Sequence, residues 1–455
     1  MSNQVNASIF REYDIRGLAD TDLNDSTVEG VARAYATILK REGRKTVSLG
    51  YDMRLSSLRV QKAVQKGLLA TGLDVINIGM VATPMLYFSI AHWKLDGGIM
   101  ITGSHNPSEY NGLKLCRGTG SVYGKEIQKI LEMILASEFE KGQGKSTEKS
   151  ITQDYQNYLK DQFKFTRKMK VVIDSGNGMG GLLSPQVIRG LGCEVTELFS
   201  KPDGNFPNHH PDPTQPKNLV HVIQKVKEVK ADIGIAFDGD GDRVGIIDEK
   251  GDVIWGDKLL ILYSRAILKK KPGATFIADV KCSKTLYDDI QKNGGKAIMW
   301  KTGHAIIKSK INELNAALAG ELSGHMFFND RYFGFDDALY AACRVLEILD
   351  QAGNKKMSEL LCDVPPMYST PELHMDTTDT KKFKIVEEAK EYFKKSYDVI
   401  DIDGVRITFP DGWGLVRASN TQPVLVLRFE ATTPKRVQEI QNLIETKIKA
   451  IIATT

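Results

Sequence analysis

Three stretches of this 455-residue chain share one signature, and that repeat limits the fold more than any other feature. Thr46–Asp52 (TVSLGYD), Lys170–Asp174 (KVVID) and Ala274–Asp279 (ATFIAD) are short apolar runs with β-branched residues, each ending in aspartate. Helical periodicity follows, as at Ser57–Ala70 and Leu182–Gly190, and then a second apolar run: Asp74–Gly79, Glu194–Phe199 and Ala297–Trp300. A third run in each unit breaks into polar residues that cannot be core. Gly97–Thr102 enters Gly103-Ser104-His105-Asn106-Pro107, and Asp232–Phe237 enters Asp238-Gly239-Asp240-Gly241-Asp242-Arg243. Ala316–Gly320 enters Glu321-Leu322-Ser323-Gly324-His325. Strands separated by helical crossovers make βαβ units and largely parallel sheets. Open α/β sheets place ligands just past the carboxyl ends of their strands. The pattern predicts three related α/β domains around one shared site.

Length supports several domains, since single cores stop growing near ~250–300 residues. The expected divisions are 1–149, 150–252, 253–365 and 366–455. Residues 140–153, rich in Lys, Gly, Ser and Glu, read as a linker, as does proline-interrupted Val364–Glu372. The break near 252 rests on the repeat alone. Residues 373–455 pattern differently, with helices expected at 381–395 and 434–452 and short strands around a Pro-Asp-Gly turn at 410–412. That is an α+β arrangement.

The net charge of +4, from 61 basic and 57 acidic residues, is too mild and too scattered to point to nucleic acid. Five cysteines without a C-x-x-C pair suggest reduced thiols. The polar start and the absence of a run of ~20 apolar residues predict a cytoplasmic chain with no membrane partner.

Asp238, Asp240 and Asp242 alternate with glycines. Three carboxylates this close need a cation to offset their repulsion, and oxygen ligands alone suit a hard ion, Mg²⁺ or Ca²⁺. An EF-hand is excluded because Arg243 stands where that loop needs glycine, and because IGIAF and VGII flank it as strands. A solvated acidic turn is the plain alternative. Ser104 is either a helix cap or a nucleophile. A hydrolase triad is disfavoured, as Ser104 and His105 are adjacent and no G-x-S-x-G elbow exists. A phosphoserine beside the acidic loop would suit a bound cation and nearby Lys and Arg.

Gly176-Asn177-Gly178-Met179-Gly180-Gly181 fits G-x-G-x-x-G and admits a second reading, an NAD-dependent dehydrogenase, against a tight structural turn. Arg417-Ala418-Ser419-Asn420-Thr421, after a Trp413-Gly414 turn, offers a phosphate dianion suitable donors, or is a solvated turn. Glu321 and Ser323 could bind sugar hydroxyls or form a capping box. His304, in Lys301-Thr302-Gly303-His304, is by default structural.

Together these strings resemble the α-D-phosphohexomutases, in particular the phosphomannomutase/phosphoglucomutase branch. The likeness spans nearly the whole chain, from Phe10–Gly17 (FREYDIRG) through TGSHNP at 102–107, NGLK at 111–114, DGDGDR, KTGH and GELSGH to RASNTQP at 417–423. It implies four domains in a heart shape with a central cleft, the fourth resembling a TATA-box-binding-protein-like domain. It implies reversible phosphoryl transfer between C1 and C6 of a hexose phosphate, mannose and/or glucose, with a 1,6-bisphosphate intermediate that also serves as activator. By that resemblance Ser104 is the phosphoserine, and Ser104, Asp238, Asp240 and Asp242 hold Mg²⁺. Lys114, Arg16, His105 and His304 handle protons and charge. Arg243, Lys281, Lys301, Glu321, Ser323, His325, Arg417, Ser419, Asn420 and Thr421 bind substrate. Leu322 stands where the bifunctional branch often has methionine, a near-isostere, and where glucosamine-phosphate mutases carry a glutamine whose hydrogen bonds leucine cannot make; that activity is the alternative within the family, beside a silent sugar-phosphate-binding protein. A monomer or weak dimer is expected, with the C-terminal domain moving as a lid.

Overall fold

The computed structural model describes residues 5–419 and 423–454. The three repeats fold into sheets with one shared strand order. In the first, Asp74–Met80, Thr46–Tyr51, Gly97–Ile101 and Tyr110–Arg117 lie side by side, with the last antiparallel to its neighbour. In the second the same order is Glu194–Leu198, Lys170–Asp174, Ile233–Phe237 and antiparallel Val244–Asp248. In the third it is Lys296–Trp300, Thr275–Asp279, Leu318–Gly320 and antiparallel Met326–Phe328. The predicted parallel triplets are all present. The antiparallel fourth strand makes each sheet mixed, and it turns each polar motif into a hairpin loop at the same sheet position.

Edges differ among the units. Ile15–Leu18 flanks the first sheet antiparallel to Tyr110–Arg117, and Ser146–Glu148 pairs parallel with Asp74–Met80. That last strand lies inside the segment expected to be a linker; its residues are all exposed, so no apolar alternation marks it. Val253–Ile254 pairs with Val244–Asp248, so the second sheet runs a little past the expected division. Residues 368–454 form an antiparallel sheet in the order Tyr368–Ser369, Val424–Ala431, Gly412–Ala418, Val405–Phe409, Asp398–Ile400, with Leu373–Asp376 also on Val424–Ala431. Helices Lys382–Phe393 and Pro434–Thr454 pack on it.

Central strands such as Gly97–Ile101 and Ile233–Phe237 are buried along their whole length, as sheets covered on both faces must be. Helices Thr83–Trp93, Gly180–Gly190, Gly256–Leu268 and Ala338–Gln351 contribute to one continuous buried cluster running through all three repeats. Phe88 of the first unit packs edge-to-face against Tyr155 and Tyr158 of the second and Phe333 of the third. Side-chain caps fix where helices start: Asn24 accepts from Thr27 N, and Asp337 from Tyr340 N.

Candidate active site

The three hairpin loops converge. Ser104, at φ +48° in the left-handed region, donates from Oγ to Asp238 Oδ2 at 3.0 Å across 134 residues of chain. Contact between the loops is close, for a Cβ on Gly239 would lie 2.3 Å from Ser104 O. On the other side, Arg243 bridges backbone-to-backbone with His325, and Val244 N donates to Gly324 O at 3.2 Å.

Asp238, Asp240 and Asp242 are fully buried, with carboxylate oxygens within 4.8 Å of one another. Burial, then Asp242 and Asp240, hold Asp238 well above the usual carboxylate range. Asp238 Oδ1 also accepts from the amides of Gly241, Asp242 and Arg243 at 3.0–3.1 Å, which fixes the loop. Asp240 Oδ1 and Asp242 Oδ1 are buried with no hydrogen-bond partner among the described residues. Orphaned oxygens beside a carboxyl pushed toward protonation are what a hard cation would relieve. The residues present fit a metal ion.

Lys114, on Tyr110–Arg117, meets this loop from the first sheet: Nζ lies 2.8 Å from Asp240 Oδ2 and 2.5 Å from Asp242 Oδ2. Burial opposes its charge, but the two carboxylates outweigh it and raise the ammonium above its ordinary value. Arg16 donates to Asn106 Oδ1 at 2.9 Å and pairs with Asp14 at 2.5 Å. His105 Nδ1 lies 3.2 Å from Ser104 Oγ. Enclosure by protein, then Arg243 and Arg16, hold its imidazole well below the usual value, so it is neutral at pH 7. His304 is held down likewise, by enclosure and then by Lys308 and Lys114.

In the third unit Arg243 Nε lies 2.8 Å from His325 Nε2, while His325 Nδ1 lies 2.9 Å from Asp336. Glu321 Oε1 accepts from Gly303 N and Oε2 from Ser323 Oγ, at 3.0 and 3.2 Å, and burial raises its carboxyl. Lys281 Nζ is 2.6 Å from Glu372, a residue at the start of the C-terminal unit. Lys301 is exposed at the end of its strand.

The C-terminal unit brings Arg417 to the same side. Asp403 Oδ2 is shared by Arg417 Nε at 3.0 Å and Thr302 N at 3.1 Å, and Tyr13 OH donates to Thr302 O at 2.8 Å. Arg417 sits not after a turn but inside Gly412–Ala418, whose residues are all buried. The turn is at Pro410-Asp411, and Gly414 is a close-packing point where a Cβ would lie 2.4 Å from Ile444 Cδ1. Ser419 is buried at the strand's end; Asn420 and Thr421 lie outside the described residues.

The glycines at 176–181 serve packing. A Cβ on Gly178 would lie 2.8 Å from Gly239 O, one on Gly180 2.7 Å from Phe237 Cβ, and one on Gly181 2.0 Å from Ser200 O. Met179 N, an amide a pyrophosphate would use, donates to Gly239 O at 2.8 Å. The turn is spent on supporting the acidic loop.

Models of the phosphoglucomutase/phosphomannomutase family match in sequence along the chain: alpha/beta/alpha domain I at residues 7–141, domain II at 153–251, domain III at 255–368 and the C-terminal domain at 372–447. The chain belongs to that family. A phosphoglucomutase from Neisseria meningitidis is 45% identical, over 98% of this chain and 96% of its own. A phosphomannomutase/phosphoglucomutase from Pseudomonas aeruginosa is 43% identical, over 98% and 96%. The crystal structure of a phosphoglucomutase/phosphomannomutase family protein from Burkholderia thailandensis superposes with a TM-score of 0.93 at 41% identity, covering 98% of both chains.

Several groups at this family member's site carried no mark in the sequence. Thr83, at a helix start, donates from Oγ1 to Asp240 Oδ2 at 2.5 Å and from N to Asp240 O at 2.9 Å. His210 Nε2 contacts His105 O, and His209 Nε2 lies 3.0 Å from Asp174. Asp403 and Glu372 pair with predicted cations. Of these only the doubled His209-His210 was visible as an unusual string.

Proposed function

We propose that this chain is a phosphohexomutase that reversibly moves a phosphoryl group between C1 and C6 of a hexose phosphate, mannose and/or glucose, through phosphorylated Ser104 and a hexose 1,6-bisphosphate. The observation that carries the reading is the meeting of Ser104 Oγ with Asp238 at 3.0 Å, with Lys114 paired to the other two carboxylates of the loop. Mg²⁺ held by Ser104, Asp238, Asp240 and Asp242 would supply charge neutralisation at the transferred group.

Phosphoryl transfer asks the protein mainly for positioning and charge. Lys114, Arg16 and Arg243 surround Ser104 with fixed positive charge. His105, neutral and within reach of Ser104 Oγ, can take that hydroxyl's proton when phosphate returns to the serine. His304, neutral and with its ring 5.9 Å from that of His325, would exchange a proton with the sugar hydroxyl, while His325, whose ring nitrogens face Arg243 and Asp336, would hold Arg243 at the substrate. Glu321 and Ser323 would hold O3 and O4, which both orientations of the sugar must present. Arg417 and Ser419, with Lys281, would grip the phosphate not in transfer. A clamp distant from Ser104 is needed because the bisphosphate must turn over before its second phosphate meets the serine.

The test is a coupled assay of glucose 1-phosphate conversion to glucose 6-phosphate. Turnover is expected to require Mg²⁺ and to rise with a trace of glucose 1,6-bisphosphate, and a chelator should abolish it. No conversion of either glucose or mannose 1-phosphate under these conditions would sink the reading.

A further inference from the structure

The Ser104 loop is held by one side chain that plays no part in the chemistry above. Arg54 is almost fully buried, and its guanidinium donates to four main-chain carbonyls of the loop. Nη2 reaches Ser104 O at 2.8 Å and Asn106 O at 2.5 Å; Nη1 reaches Pro107 O at 2.5 Å and Tyr110 O at 2.8 Å. Gly103 lies flat on the guanidinium, for a Cβ there would fall 2.4 Å from Arg54 Cζ. The fork is itself anchored by buried Asp52, whose Oδ2 lies 3.3 Å from Arg54 Nε and accepts from Gly103 N at 3.2 Å.

Resting on the functional reading above, we propose that Arg54 is the positioning residue that holds Ser104 in its left-handed backbone conformation, so that Oγ faces the acidic loop. L residues other than Asn and Asp rarely adopt φ +48°, and such a conformation persists only where the surroundings over-determine it. A planar fork with parallel donors can collect four carbonyls, which a lysine ammonium cannot do in the same geometry.

The repeat gives an internal control. Asp279 stands at the same strand end as Asp52, and its Oδ1 accepts from Leu322 N of the third hairpin loop at 3.3 Å. The residue two places on is again basic, but Lys281 turns away to Glu372. In the second unit Asp174 holds Gly176 N at 2.9 Å, and glycine replaces the cation. Among equivalent positions, a basic side chain is committed to a loop only where the loop presents the reacting serine.

The experiment compares full-length Arg54→Lys with the unmodified enzyme in steady-state kinetics and in hydrogen exchange of amides 104–110. The expected result is a kcat reduced by about 100-fold, the scale of an ångström-level misplacement, with KM for glucose 1-phosphate changed by less than about 3-fold. Exchange across 104–110 should quicken. A kcat within about 2-fold of the unmodified enzyme, or unchanged exchange in the loop, would overturn the proposal. Should Arg54→Lys not accumulate in folded form, Asp52→Asn, which keeps the volume but loses the acceptor for Gly103 N, is expected to show the same pair of effects and is judged by the same results. Absence of turnover in the unmodified protein would overturn the functional reading alone, and the exchange comparison would still decide the role of Arg54.

Discussion

The first three units and the fourth are held in different ways, although contacts between their loops link all four. Units one to three share a continuous apolar cluster in which aromatic rings from each interlock. The C-terminal unit keeps a core of its own and meets the third through a small cluster of Val280, Trp413 and Leu415 surrounded by charge. Arg406 donates to Val280 O at 2.5 Å and Cys282 O at 2.9 Å and stacks 3.7 Å over Trp413, Arg428 reaches Lys281 O, and Lys281 pairs with Glu372. Apolar packing is costly to open and insensitive to salt, whereas a polar junction can exchange its partners for water and reform. On the proposed function, the difference would leave the fixed geometry around Ser104 to the body and give the fourth unit the opening that substrate entry and the turn of a bisphosphate would require.

That contrast can be broken at its strongest point first. Phe88→Ala, in the shared core, is expected to cost about 3–5 kcal/mol and to lower the thermal midpoint of the body as a whole, seen by calorimetry. Two separate transitions for units one and two would show that the core is not shared.

Gly239→Ala is the next largest, because the new methyl would meet the Ser104 carbonyl rather than a yielding side chain. A loss of about 100-fold in kcat is expected, with the fold retained by circular dichroism.

At the junction, Arg406→Ala leaves two buried carbonyls without their donor. About 1–3 kcal/mol of the fourth unit's attachment should be lost, read as faster limited proteolysis in 364–372, while Ser104 still accepts phosphate from glucose 1,6-bisphosphate.

The smallest effect is that of pH on the Lys281–Glu372 pair. Burial raises Glu372, but the Lys281 ammonium outweighs it and takes the carboxyl from 4.5 down to about 2. A depressed carboxyl contributes its stability above its unfolded value, so the contact is complete above pH 4.5 and weakens as pH falls toward 2. The glutamate side chain is 36% exposed, which limits the pair to roughly 1 kcal/mol or less. Glu372→Gln should therefore shift proteolysis at the junction slightly near neutral pH and flatten its acid dependence.

The same division separates what the sequence made legible from what it did not. Parallel strands in the body are buried on both faces, so Lys170–Asp174 and Ile233–Phe237 stand out as unbroken apolar runs. Their polar continuations, including Ser104 and the Asp238–Asp242 loop, stand out by the abruptness of the change. Elements without that contrast were missed: Ser146–Glu148 is polar throughout, and Tyr110–Arg117 was noticed only for the string around Lys114. Arg417 was expected beyond a turn because Trp413-Gly414 looks like one, whereas Gly414 is small to admit Ile444 and Phe429. Thr83, Arg54 and Asp403 act through partners tens to more than a hundred residues away or through main-chain carbonyls, and spacing along one sequence does not report either kind of contact.

The most direct measurement is the intact mass of the protein after exposure to glucose 1,6-bisphosphate with Mg²⁺, alongside Ser104→Ala. One added phosphoryl group is expected on the unmodified chain, lost on addition of hexose 1-phosphate, and none on the variant. A variant that still takes up the phosphate, or that isomerises hexose phosphate at the unmodified rate, would contradict the assignment of Ser104 as the residue facing the acidic loop in the reaction.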